Sequence, residues 1–155
     1  MAETVGYSAL KPILNPNNNI LKSIDTLKYP KGVEPIALKK LHCTLMYDER
    51  NNIKGDFDIP PEIYHANVMG VAVLGKAVVL LLSSDEIMRR HFELLDLGFK
   101  YSFDNYAPHL SIVYAGNDAE DGALEQVRVQ VQALLTKKLI PSQLYFTDEY
   151  WKPCD

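Results

Sequence analysis

The amino-acid sequence predicts an α+β fold with a mainly antiparallel sheet, on three observations. Extended segments are mostly joined to one another or to a helix that follows them, the arrangement of α+β chains. Two of those segments, Tyr64–Leu74 and Ala77–Ser83, are separated only by Gly75-Lys76, which is a hairpin signature. Each half of the chain also holds a strand, a helix and one strand with a His-x-hydroxyl pattern, a weak internal echo.

Taken in order, a first strand is expected at Gly6–Lys11, stopped by Pro12. The polar run Asn15–Asn19 supplies turn and N-cap residues, after which Ile20, Ile24 and Leu27 recur at helical spacing to about Lys28. Tyr29-Pro30-Lys31-Gly32 breaks that helix, and a strand follows over Leu38–Tyr47. Asn51-Asn52 with Gly55 marks a turn before the hairpin. Ser83 and Glu86 read as a capping box opening a helix whose inner side carries Ile87, Phe92, Leu94 and Leu95, and which stops at Gly98. Strands are expected near Phe99–Phe103 and Pro108–Ala115. The acidic run Asp118–Asp121 reads as the first turn of a helix, where the dipole favours it. Leu124, Val127, Val131, Leu134 and Leu135 form that helix's stripe, and Gln143–Trp151 is a last strand.

At 155 residues, with no Pro/Gly/Ser linker, the chain is expected to be a single domain over 1–155. No apolar stretch reaches the roughly 20 residues of a membrane span, and the start of the chain lacks the apolar region of a signal peptide. Cys43 and Cys154 make no disulfide framework and lie in no zinc pattern, so they read as reduced thiols in a cytoplasm, and neither a metal nor another cofactor is expected. The net charge of -4 argues against gripping a long nucleic acid but leaves room for a small nucleotide.

The chemistry lies in two matched segments. Leu41-His42-Cys43-Thr44-Leu45-Met46-Tyr47 and Pro108-His109-Leu110-Ser111-Ile112-Val113-Tyr114 both read His, apolar, hydroxyl, two aliphatics, Tyr. In a strand, residues i and i+2 share a face, so His42 projects with Thr44 and His109 with Ser111. If the two strands neighbour one another, two imidazoles and two hydroxyls line one cleft. Free histidine titrates at about 6.5, so one ring can accept a proton while the other donates one. Thr44 and Ser111 can then bond the non-bridging oxygens of a phosphodiester as charge grows on them. The bland alternative, two histidines satisfied in a sheet core, leaves the shared six-residue pattern unexplained. His65 and His91 lack the paired hydroxyl and read as surface or structural residues.

With these motifs, HCTL and HLSI, the chain resembles the 2H phosphoesterase superfamily, which includes 2′,5′ RNA ligase-like proteins and cyclic phosphodiesterases. The resemblance implies a bilobal, pseudo-twofold α+β fold with sheets flanking a cleft and helices outside, and the order of elements fits over nearly the whole chain. Ser111 stands where that pattern more often has Thr. Within the superfamily, the opening GYSALKP and the closing TDEYWKP are similar to phage anti-CBASS phosphodiesterases. That similarity implies metal-independent attack on the 3′–5′ bonds of cyclic di- and trinucleotide immune signals, in the bacterial host cytoplasm. Two other readings remain open at this point: a 2H enzyme acting on RNA ends, and a nucleotide-binding module without turnover.

Four further residues are expected to bind substrate. Trp151 and Tyr7 offer rings for base stacking, Glu149 can read a base edge, and Tyr106 precedes the second motif on a loop that can fold over a ligand. Lys11 and Lys152 can meet phosphate, although isolated lysines are usually just solvated.

Overall fold

A computed structural model describes residues 4–14, 20–55 and 57–155, and the expected Asn15–Asn19 turn lies outside them. Nine strands and three α-helices are found among the described residues. Seven strands form one sheet in the order β3 (Val33–Pro35), β8 (His109–Ala115), β7 (Ala77–Ser83), β6 (Tyr64–Leu74), β9 (Gln143–Lys152), β2 (Tyr7–Pro12) and β4 (Cys43–Tyr47). Short β1 (Thr4–Val5) and β5 (Ile53–Lys54) pair separately, and all described pairings are antiparallel. The fold is therefore mixed α+β with a mainly antiparallel sheet.

The hairpin β6–β7 turns at Gly75, whose φ of 58° is costly for a residue with a Cβ. Helix α2 (Asp85–Asp96) begins one residue later than expected. Its cap is Ser84, whose Oγ accepts from Ile87 N at 3.1 Å and donates to the His65 carbonyl. Glu86 does not close a capping box with Ser83; its carboxylate accepts the His65 N–H on β6 at 3.0 Å. The inner side of α2 also differs. Ile87, Arg90, His91 and Leu94 are buried, whereas Phe92 is exposed.

Other expectations shift for local reasons. Helix α1 covers only Ile20–Ile24, followed by turns. Leu38–Lys40 is a 3-10 turn, so the strand expected from Leu38 starts at Cys43. Residues 99–103 are not a strand; that segment hangs on β4 through the Ser102 N–H to Tyr47 carbonyl bond of 2.8 Å. Helix α3 (Ala123–Thr136) starts after Gly122, at φ 83°, so Asp118–Asp121 lie in the turns before it.

The three helices leave one face of the sheet free of helix. Ile20, Ile87, Leu94, Val127 and Val131 join a single core with Leu10, Leu45, Leu80, Leu110, Ile112 and Phe146 of the strands. Each such fully buried aliphatic or aromatic chain contributes about 1.5–3 kcal/mol. At the far end of β4, buried Asp48 accepts from Arg50 and from the Lys100 N–H, and the Arg50 hydrogen bond holds its carboxyl at about 2. No described helix is long and apolar enough to cross a membrane.

Candidate active site

His42 sits immediately before β4, and its Nδ1 donates to the Lys40 carbonyl at 2.8 Å. His109 opens β8, and its Nδ1 donates to the Ala107 carbonyl at 2.9 Å. In both cases the acceptor is the carbonyl two residues earlier. A carbonyl only accepts, so the proton of a neutral ring stays on Nδ1 and Nε2 is left with its lone pair. Both histidines are half-buried.

The strands share a second feature. On the β2–β4 ladder, Ser8 pairs Met46 and Ala9 pairs Thr44, so Leu45 is skipped. On the β7–β8 ladder, Val78 pairs Val113 and Val79 pairs Ser111, so Ile112 is skipped. Each strand thus carries a β-bulge at the third residue after its histidine. The extra residue turns the closing Tyr to the hydroxyl's side: Tyr47 shares a face with Thr44, and Tyr114 with Ser111. Straight alternation would have put Tyr47 and Thr44 on opposite faces.

Partners in an antiparallel pair point to the same side, so the register can be followed across the sheet. Ser111 pairs Val79, Val79 pairs Ala72, and Ser83 on the Val79 side pairs Asn67. Asn67 pairs Gln143, which shares a face with Thr147; Thr147 pairs Lys11, and Ala9 pairs both Tyr150 and Thr44. Thr44, Ser111, Tyr7, Tyr150, Lys11 and Lys152 therefore lie on one face, the one without helices.

Although second and last in the sheet order, β8 and β4 approach within 8 Å between Cα atoms. Burial pushes the Cys43 thiol, next to His42, up to about 12, against a lowering pull from the His109 backbone. Tyr106, three residues before His109, donates its hydroxyl to the Thr44 carbonyl at 2.7 Å. These contacts draw the two motifs together.

The substrate-binding candidates divide. Tyr7 joins the histidine side: its hydroxyl is 3.3 Å from Thr44 Oγ1, its ring stands edge-on to His42 at 6.2 Å, and burial raises its pKa. The bend just before it needs Gly6, because a Cβ there would strike the Asp48 carbonyl. Tyr106 does not fold over the open face; burial raises its pKa, and it stacks on His91 at 3.8 Å. Glu149 and Trp151 are not brought to the histidines. A bulge at Asp148, with φ 55°, sets them on the helix side. There Glu149 accepts from Arg90 at 2.7 and 2.9 Å and from the Trp151 indole at 2.8 Å, while Trp151 stacks on Phe99 at 4.8 Å.

Sequence reasoning missed one contributor, Tyr150. Tyr150 and Lys152, not Trp151, share the histidine face. His91, read as surface or structural, is the latter: it is buried and its Nδ1 donates to the Leu45 carbonyl at 2.6 Å. The signal for Tyr150 was Asp148, since Asp is among the few residues that tolerate a positive φ. Among the described residues, no three His, Cys, Asp or Glu side chains are grouped to hold a metal ion.

Comparison with known proteins adds a family. Residues 6–141 match the family model described as Anti-CBASS protein Acb1. Proteins of that name are similar to this chain. The one from Salmonella phage S16 is 31% identical over 123 residues, 73% of this chain and 76% of the relative. The one from Escherichia phage RB16 is 32% identical over 91 residues, 54% of this chain and 50% of the relative. One from Sphingomonas paeninsulae aligns over 99% of this chain but only 26% of its own length, at 26% identity. The chain thus spans half of the phage RB16 relative and a quarter of the Sphingomonas one.

Proposed function

Because this chain belongs to the Anti-CBASS protein Acb1 family, we propose that it is a phosphodiesterase that opens 3′–5′ bonds of cyclic di- or trinucleotides, with His42 and His109 as its proton-transfer pair. The observation that carries this reading is the duplicated geometry of the motifs. Both histidines have Nδ1 tied to the carbonyl two residues back, and both strands bulge at the same motif position. A core histidine has no need of a copy made the same way. The same duplication supports the bilobal, pseudo-twofold 2H architecture, with one motif in each lobe.

In this mechanism the ribose 2′-hydroxyl attacks the adjacent phosphorus. One neutral histidine takes the hydroxyl proton on its free Nε2, and the other, protonated, gives a proton to the departing 5′-oxygen. The P–O5′ bond breaks as the O2′–P bond forms, leaving a 2′,3′-cyclic phosphate and a 5′-hydroxyl. Thr44 Oγ1 and Ser111 Oγ donate to the non-bridging oxygens, and Tyr7 sets the Thr44 rotamer through their hydrogen bond. These groups supply proton transfer and charge stabilisation without a metal, so turnover is expected to persist in EDTA. In the infected host cytoplasm such an enzyme would remove the immune signal.

The test is a pair of cyclic dinucleotides that differ only in the attacking group. The ribose form should be cut with a bell-shaped pH–rate profile, and the 2′-deoxy form should resist. Equal cleavage of both would remove the 2′-hydroxyl from the reaction.

A further inference from the structure

Tyr7, Lys152, Tyr150 and Lys11 make a ladder on the histidine face. Tyr7 on β2 pairs Lys152 on β9, and the ammonium stands over the Tyr7 ring at 5.0 Å. Ala9, two residues on, pairs Tyr150, and Lys11 stands over the Tyr150 ring at 5.6 Å. Ring and cation thus alternate along two neighbouring strands, and the ladder starts beside Thr44 through the Tyr7 hydroxyl.

The two lysines differ from the arginines in how their charge is met. All four arginines, Arg50, Arg89, Arg90 and Arg128, are paired with a carboxylate. Among the described residues, neither Lys11 nor Lys152 has a carboxylate within 4 Å. Both are exposed, on a protein of net charge -4. Two unneutralised ammonium groups beside two half-buried tyrosine rings match one ligand chemistry, a phosphate next to a flat base.

We propose that this ladder is the subsite for the nucleotide that is not being cut. Tyr150 stacks its base, and Lys152 and Lys11 hold its phosphodiester while the histidines work on the other linkage. This rests on the phosphodiesterase reading and deepens it. A cyclic substrate always carries a second phosphate at fixed distance from the first, so a site beyond the histidines selects rings over single esters. Trp151 and Glu149 take no part, since they lie on the other face.

The experiment compares two substrates and one binding measurement. A cyclic dinucleotide uses the ladder; a nucleoside 3′-(p-nitrophenyl phosphate) has the 2′-hydroxyl and the scissile ester but no second nucleotide. Tyr150→Ala and the double variant Lys11→Gln/Lys152→Gln should each raise KM for the ring by roughly ten-fold or more. Both should leave kcat/KM for the aryl ester within about two-fold of the parent. Tyr150→Phe should restore ring affinity, which separates stacking from a folding defect. Equal losses on both substrates, or an unchanged KM for the ring, would overturn the subsite.

Titration of the cyclic dinucleotide into His109→Ala protein keeps the two proposals apart. If the parent cuts neither substrate while Tyr150→Ala still weakens this binding ten-fold, the subsite stands and the catalytic reading falls. If the parent cuts both and Tyr150→Ala binds as tightly as its parent, the reverse holds.

Discussion

β4 and β8 carry the same bulge, but the carbonyl that each bulge leaves over is capped from a different source. On β8 the Ile112 carbonyl accepts the backbone N–H of Ile36, just past β3, at 2.9 Å. On β4 the Leu45 carbonyl accepts from the buried His91 ring on α2, and the Thr44 carbonyl beside it accepts from Tyr106. The reason is position in the sheet. β8 lies between β3 and β7, whereas β4 is the last strand, with a neighbour on one side only. Two stacked side chains stand in for the missing strand. The difference matters because a backbone amide has no charge state, while an imidazole does.

Removing the chemistry itself should have the largest effect and ignore the asymmetry. His42→Ala and His109→Ala are each expected to lower turnover by about 10²–10⁴-fold with little change in melting temperature. Unequal effects would mean that only one motif supplies an essential proton transfer.

Breaking the support should separate the two strands. His91→Ala leaves the Leu45 carbonyl unpaired and a void against Tyr106, at a cost of about 3 kcal/mol in urea unfolding. Turnover should fall as well, because Thr44 lies on the released segment. A variant that is destabilised yet fully active at low temperature would show that the bulge needs no cap.

Acid should act on β4 before β8. Burial holds the His91 pKa below its ordinary value. The unfolded chain therefore takes up a proton near the ordinary pKa of about 6.5, while the folded protein does so only at lower pH. Stability is fully present above that ordinary value and declines as pH falls toward the folded one. Melting temperatures from pH 7.5 to 5 should show a steeper fall in the parent than in His91→Gln. Parallel curves would remove His91 from the acid response. The smallest change, Tyr106→Phe, keeps the stack and loses one hydrogen bond, at about 1 kcal/mol.

What was legible in the sequence follows the same division. Alternation over three residues is enough to pair His42 with Thr44 and His109 with Ser111, and both motifs were readable for that reason. The bulges were not, since Leu45-Met46 and Ile112-Val113 are aliphatic on either side of the irregularity and periodicity alone cannot show the slip. The bulge at Asp148 had the same effect at the end of the chain and exchanged Trp151 for Tyr150 on the histidine face. For His91, beside two arginines, the sequence left a surface and a structural role both open. Arg90 is itself buried by its ion pair with Glu149, a partner fifty-nine residues away that no local pattern reveals. The Ser83-Ser84 pair offered two caps one residue apart, and the bond to the His65 carbonyl, a tertiary contact, selected the second.

The central claim is that two matched histidines open a cyclic nucleotide. Its most direct test is incubation with cyclic di- and trinucleotides and with RNA ends bearing a 2′,3′-cyclic phosphate, in EDTA, read by mass spectrometry. The account predicts a linearised product from the rings, lost in both His42→Ala and His109→Ala. Intact rings alongside cleaved RNA ends, or rings bound and never cut, would contradict it.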